Sequence, residues 1–147
     1  MERLVVLAVL AVLGVALAAI LQRRRPDPPS VPGYRAPTQL NRAEFANQQV
    51  PILVALFSSA TCDSCPVAWA TIQSVVKGIE DPELADRVDH ERIDIQDNPD
   101  LHRRYRIDGV PTTVVVDADG VVIQAFFGPM TDGQLLEALT RAGIEGD

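Results

Sequence analysis

The sequence predicts an α/β domain, a central mixed β-sheet flanked by helices, preceded by a single N-terminal transmembrane helix. Three observations lead there. Residues 4–21, LVVLAVLAVLGVALAAIL, run for eighteen positions without a polar side chain, the entry condition for a membrane-spanning segment. From residue 38 onward, strand-like apolar runs alternate with stretches of helical periodicity, the pattern of a sheet covered by helices. The last two strand-like runs are joined by Asp117-Ala118-Asp119-Gly120, whose Asp-Gly pair marks a hairpin and therefore an antiparallel partner.

Three regions follow: residues 1–25 as an anchor with an arginine flank, 26–37 as a proline-rich linker, and 38–147 as the domain. At about 1.5 Å per residue the apolar run reaches roughly 27 Å, enough for a thin bilayer core. A cleaved signal peptide is the competing reading, with Ala16-Leu17-Ala18 as its small-x-small site. Against it, the basic region is short, the apolar run continues past that site, and Arg23, Arg24 and Arg25 resist translocation. An uncleaved anchor is the expectation. One basic residue precedes the run and three follow it, a bias that places the C-terminal domain in the cytoplasm. The opposite orientation stays open. The segment PDPPSVPGYRAPT holds five prolines in thirteen positions and favours an extended tether of up to ~40 Å.

From Pro26 onward nine basic residues face nineteen acidic ones. So acidic a domain is a poor nucleic-acid binder, which needs a basic face. Two cysteines three positions apart are not the framework of a disulfide-dense secreted scaffold.

Each element has its own signal. Asn41-Arg42-Ala43-Glu44 reads as a capping box opening a short helix that ends near Asn47. Pro51 precedes ILVALF, a continuous apolar run of a buried central strand. Residues 66–79 are expected to be helical, with Val67, Ala70, Ile72, Val75, Val76 and Ile79 as the core-facing stripe. Residues 88–95 alternate as a strand with His90, Arg92 and Asp94 outward. Asn98-Pro99 opens a helix through Tyr105. Residues 112–116 and 121–127 are the hairpin strands. Thr131 or Asp132 caps a last helix, through Leu135, Leu136 and Leu139, that is expected to stop at Gly143.

Chemistry concentrates in Cys62-Asp63-Ser64-Cys65, between the buried strand and the helix that Pro66 opens. A helix N-terminus favours an anion and therefore a thiolate. One sulfur can attack a disulfide, and the other, one turn on, can resolve the mixed disulfide. A zinc site is a weaker reading, since zinc takes about four ligands and the two histidines, His90 and His102, fall on predicted surfaces far along the chain. No metal is expected. Two buried cysteines meeting by chance is the blandest reading. Trp69 reads as a core packer, and Arg103, Arg104 and Arg106 as a solvated face.

Val110-Pro111-Thr112, directly before a β-run, completes a pattern. The order of elements, the cysteine motif, Ile93-Asp94-Ile95-Gln96-Asp97-Asn98-Pro99 and Tyr105-Arg106-Ile107-Asp108-Gly109-Val110-Pro111-Thr112 together resemble the thioredoxin family over roughly residues 38–142. The resemblance implies a thioredoxin fold with a cis Pro111 beside the cysteines, Cys62 as exposed nucleophile and Cys65 as buried resolving thiol. It implies that the Val110 backbone pairs with a substrate peptide, with Thr112 and Gly128 near that groove. Two departures stand out. Asp63 and Ser64 fill the motif where thioredoxins usually carry Gly-Pro, and Leu56 stands where they keep a buried acid that moves protons. Asp63 sets negative charge against the helix dipole, and both changes argue against a strong oxidant.

The expected function is a membrane-tethered thiol–disulfide oxidoreductase, reducing rather than oxidising, with its own Cys62–Cys65 disulfide in place of a cofactor. Its partners would be a protein dithiol or disulfide substrate and an upstream electron donor or acceptor. The alternative is a non-catalytic binding module for a partner protein or Cu(I).

Overall fold

The computed structural model describes residue 1 and residues 34–145, and residues 33–147 form one compact unit. The expected anchor at 4–21 and the linker up to residue 33 lie outside the described residues. Among the described residues, no helix is long and apolar enough to cross a membrane.

Four strands form one sheet in the order β2-β1-β3-β4: β1 Ile52–Ser58, β2 Val88–Asp94, β3 Thr112–Val116 and β4 Val122–Phe127. β1 is parallel to β2 and antiparallel to β3, and β3 and β4 form the hairpin. Every residue of β1 is buried, which explains why its sequence is continuously apolar rather than alternating. Among the described residues four α-helices accompany the sheet: α1 Cys65–Lys77, α2 Pro82–Ala85, α3 Pro99–Arg104 and α4 Asp132–Glu145. α1 and α2 lie in the crossover between the parallel strands β1 and β2, a connection that needs at least a dozen residues.

The two faces of β1 make two cores. Ile52, Val54 and Leu56 meet Ala68, Ile72 and Val75 of α1 and Leu135, Ala138, Leu139 and Ala142 of α4. Leu53, Ala55 and Phe57 meet Leu40, Phe45, Ile93, Val114 and Val116, with Leu101 and Tyr105 packed alongside.

Several expectations need correction. Of the expected α1 stripe, Ile72 and Val75 are buried and Val76 and Ile79 pack against the core, whereas Val67 and Ala70 are exposed and Cys65 and Ala68 are buried in their stead. Both sets fit helical spacing; packing against β1 and α4 selects the buried one. His90 faces the protein, since it pairs with Val54 in register and its ring lies 5.2 Å from Trp69, whereas Arg92 is exposed as expected. Trp69 is partly buried against the core, as a packer should be. His102 is buried: its Nε2–H donates to the Ile93 carbonyl at 2.9 Å and its ring meets Phe57 edge-on at 5.2 Å. α2 was not anticipated, although Asp81 accepts from the Glu83 amide before Pro82, a readable N-terminus signal.

α4 continues through Gly143 to Glu145. A β-carbon at Gly143 would lie 3.3 Å from Leu84 Cδ1, so this glycine serves close packing and not termination. The capping box is only half made. Asn41 caps a 3-10 turn, Arg42–Glu44, by accepting from the Ala43 amide. The Glu44 carboxylate instead pairs with Arg104 and accepts from the Tyr105 hydroxyl.

The segment before that turn lies along the hairpin. The Leu40 amide donates to Gly120 O at 2.7 Å and the Val122 amide to Thr38 O at 3.0 Å. Arg42 is buried and donates to the carbonyls of Val50 at 2.6 Å and Asn47 at 3.0 Å. Burial lowers its pKa, while Asp117 and Asp89 oppose that shift.

Candidate functional site

Antiparallel register decides where the chemistry collects. Phe57, near the C-terminal end of β1, pairs with Thr112, the first residue of β3. Whatever follows β1 and whatever precedes β3 therefore share one end of the sheet. Cys62 follows β1 and Pro111 precedes β3.

Cys65 is the first residue of α1 and is wholly buried, while Cys62 lies in the preceding loop and is partly exposed. Their sulfurs are joined in a disulfide with the Cα atoms 5.5 Å apart, within the usual span for a bridge. The Cys65 amide donates to Cys62 Sγ at 3.1 Å. This is an unpaired N–H of the first helical turn directed at sulfur, the arrangement that stabilises a thiolate after reduction. The Ser64 hydroxyl lies 3.8 Å from Cys62 Sγ, and Asp63 is exposed. Ser64 holds the N-cap position without a side-chain capping bond.

The cysteine loop is braced from β2. Gln96 Oε1 accepts from the Ala60 amide at 3.2 Å, and its amide nitrogen donates to Ser59 Oγ at 3.4 Å. Ser58, at the end of β1, donates to Asp94 at 3.3 Å and accepts from Arg92 Nε at 2.9 Å.

The Val110–Pro111 bond is cis. Thr112 is buried and donates its hydroxyl to Gly109 O at 2.7 Å, and the Gly128 amide donates to Pro111 O at 2.9 Å. Gly128, at φ 80°, has open space where a side chain would stand. The structure thus joins Val110, Pro111, Thr112 and Gly128 in one loop pair. Neither the N–H nor the C=O of Val110 is engaged among the described residues, which leaves both free for an added strand.

Leu56 is wholly buried on the face shared with Ala68 and Ile72. Its cross-strand neighbour Thr113 has a buried hydroxyl without a partner among the described residues. Arg103, Arg104 and Arg106 are exposed, as a solvated face should be, and the first two pair with Asp100 and Glu44. Among the described residues no cluster of three His, Cys, Asp or Glu side chains could hold a metal.

Sequence reasoning missed Tyr34, Ile95 and Phe127, exposed apolar side chains at or near this end of the sheet. A lone tyrosine in a proline-rich tether was the available signal for the first.

Strand order and the bridged cysteines place the chain among thioredoxin-fold proteins with a redox-capable cysteine pair. Residues 38–143 match the model of the thioredoxin-like domain family, and the chain belongs to that family. It is similar to a thioredoxin of Methanocaldococcus jannaschii, 31% identical over 90 residues that cover 61% of this chain and 94% of the relative. Chloroplastic thioredoxin z has a similar structure, with a TM-score of 0.56 at 24% identity over 65% of this chain and 81% of that one. A thioredoxin from Halobacterium salinarum gives 0.55 at 20% identity, over 65% and 77% respectively. Both structural likenesses concern the fold.

Proposed function

We propose that this protein is a membrane-tethered thiol–disulfide oxidoreductase that reduces protein disulfides. The observation that carries the chemistry is the unequal exposure of two bonded cysteines at a helix N-terminus, at the same end of the sheet as the unpaired Val110 backbone. Once reduced, Cys62 attacks a substrate disulfide. Its sulfur bonds one substrate sulfur and the other leaves as a thiolate. Cys65 then attacks Cys62, releasing the second substrate thiol and re-forming the Cys62–Cys65 bond. Two electrons pass from the dithiol to the substrate, and an upstream dithiol donor must restore them. The disulfide is the sole redox group this cycle needs.

Direction and place rest on sequence. Asp63 beside Cys62 and Leu56 in place of an acid support a reductase over a strong oxidant. The apolar run at residues 4–21 supports tethering, and Arg23, Arg24 and Arg25 support a cytoplasmic domain. The test is reduction of insulin, together with the reduction potential of the cysteine pair. A potential near about −270 mV fits a reductase, and one near about −120 mV would overturn the direction. Absence of turnover in either direction would leave a binding module as the function.

A further inference from the structure

Tyr34, in the last part of the linker, occupies a place that the domain leaves for it. An ideal β-carbon at Gly109 would collide with the Tyr34 phenol, so the ring stands where a side chain at 109 would be. Its hydroxyl donates to Asp108 O at 3.3 Å. Its ring meets Phe127 edge-on with centroids 5.5 Å apart. Gly109 directly precedes Val110-Pro111, and Phe127 directly precedes Gly128. Tyr34 therefore bridges the two loops that frame the free Val110 edge, and the Gly128–Pro111 hydrogen bond ties the same loops beneath it.

The tyrosine is not consumed by this packing. It stays 38% exposed and Phe127 37% exposed, so two aromatic surfaces stand open at the margin of an unpaired backbone edge. An extended peptide pairing with Val110 would project alternate side chains to either side.

We infer that Tyr34 is a specificity-determining wall of this peptide groove, contacting an apolar side chain of the extended substrate segment. The inference rests on the disulfide-exchange reading and names the substrate feature that site selects. Gly109 is part of the device, because any side chain there would evict the ring. The tether thus supplies a groove residue besides connecting the domain to whatever precedes it.

The test uses the full chain in lipid nanodiscs and two probes. One is a short extended peptide with leucine and phenylalanine flanking an alanine in place of the reactive cysteine; the other is insulin. Tyr34→Ala is expected to weaken the peptide Kd and raise the insulin KM about tenfold, with kcat held, the size of a lost aromatic contact. Tyr34→Phe keeps the ring and is expected to match the parent in both. Gly109→Ala is expected to reproduce the Tyr34→Ala loss, yet to add nothing in the Tyr34→Ala background, where its methyl has room.

An unchanged Kd in Tyr34→Ala overturns the inference. So does a fall in kcat at constant KM, which marks a prop for the loop. Failure of the parent chain to bind the alanine peptide overturns it as well. If the parent binds the peptide but does not reduce insulin, the oxidoreductase reading falls, and the Kd values alone decide Tyr34.

Discussion

Cys62 and Cys65 share a bond but not an environment, and the difference supports the roles proposed for them. A partly exposed sulfur that accepts the Cys65 amide is reachable and stabilised as a thiolate; a wholly buried one is reachable only from its neighbour. Cys62→Ser is therefore expected to abolish insulin reduction. Cys65→Ser is expected to accumulate a mixed disulfide with substrate, visible as a reductant-sensitive adduct in mass spectrometry. The reverse pattern would exchange the two roles. Tyr105 gives a second prediction at this scale. Burial and the hydrogen bond to Glu44 raise its pKa above the usual value of 10.0. A folded-state pKa raised above the unfolded one adds stability that is complete below about pH 10 and lost as pH rises through the raised value. The urea midpoint is expected to fall across that window. Tyr105→Phe is expected to be less stable at neutral pH by about 1 kcal/mol, because the Asn41 amide and Glu44 lose a partner. It is also expected to lack the tyrosine share of the alkaline decline.

Among the elements, the hairpin turn carries the most information per residue. Gly120 has φ 85°, a conformation side chains rarely adopt, and a β-carbon there would strike Leu40 O. The Gly120 carbonyl accepts from the Leu40 amide, so the turn also holds the segment that leads to the buried Arg42. Gly120→Ala is expected to cost about 2 kcal/mol or more in urea unfolding. Gly133→Ala, in open space on α4, is expected to be neutral or stabilising. Equal losses at both glycines would show that the turn is not under steric control.

At the scale of the whole molecule, the proposed membrane tether and cytoplasmic domain are tested by reporter fusions. Alkaline phosphatase fused after Asp147 is active only when exported, and a fluorescent protein fused there reports the opposite side. Low phosphatase activity with bright fluorescence is the expected result, and high phosphatase activity would sink the cytoplasmic reading. Replacing Arg23, Arg24 and Arg25 by glutamine is expected to give mixed orientation. The side matters for chemistry. A reducing pool keeps most dithiols reduced, whereas outside it the same pair must be supplied with electrons across the membrane.

The strands, the hairpin, the cysteine loop at a helix start and the proline before β3 were legible in the sequence, because each is written in neighbouring residues. ILVALF can only be a fully buried strand if both its faces are covered, and Asp119-Gly120 can turn a chain without reference to anything distant. What stayed hidden depends on contacts between positions far apart. The stripe of α1 depends on how the helix lies across β1. The burial of His102 depends on Ile93 and Phe57, and the diversion of Glu44 from its cap depends on Arg104 and Tyr105. Gly143 looked like a stop because glycine often ends helices, yet the approach of Leu84 makes it a packing residue. Tyr34 is the clearest case: nothing near it in sequence says that a glycine 75 positions later leaves room for its ring. Local preference determined which elements form, and long-range packing decided which faces they bury and which side chains reach the site.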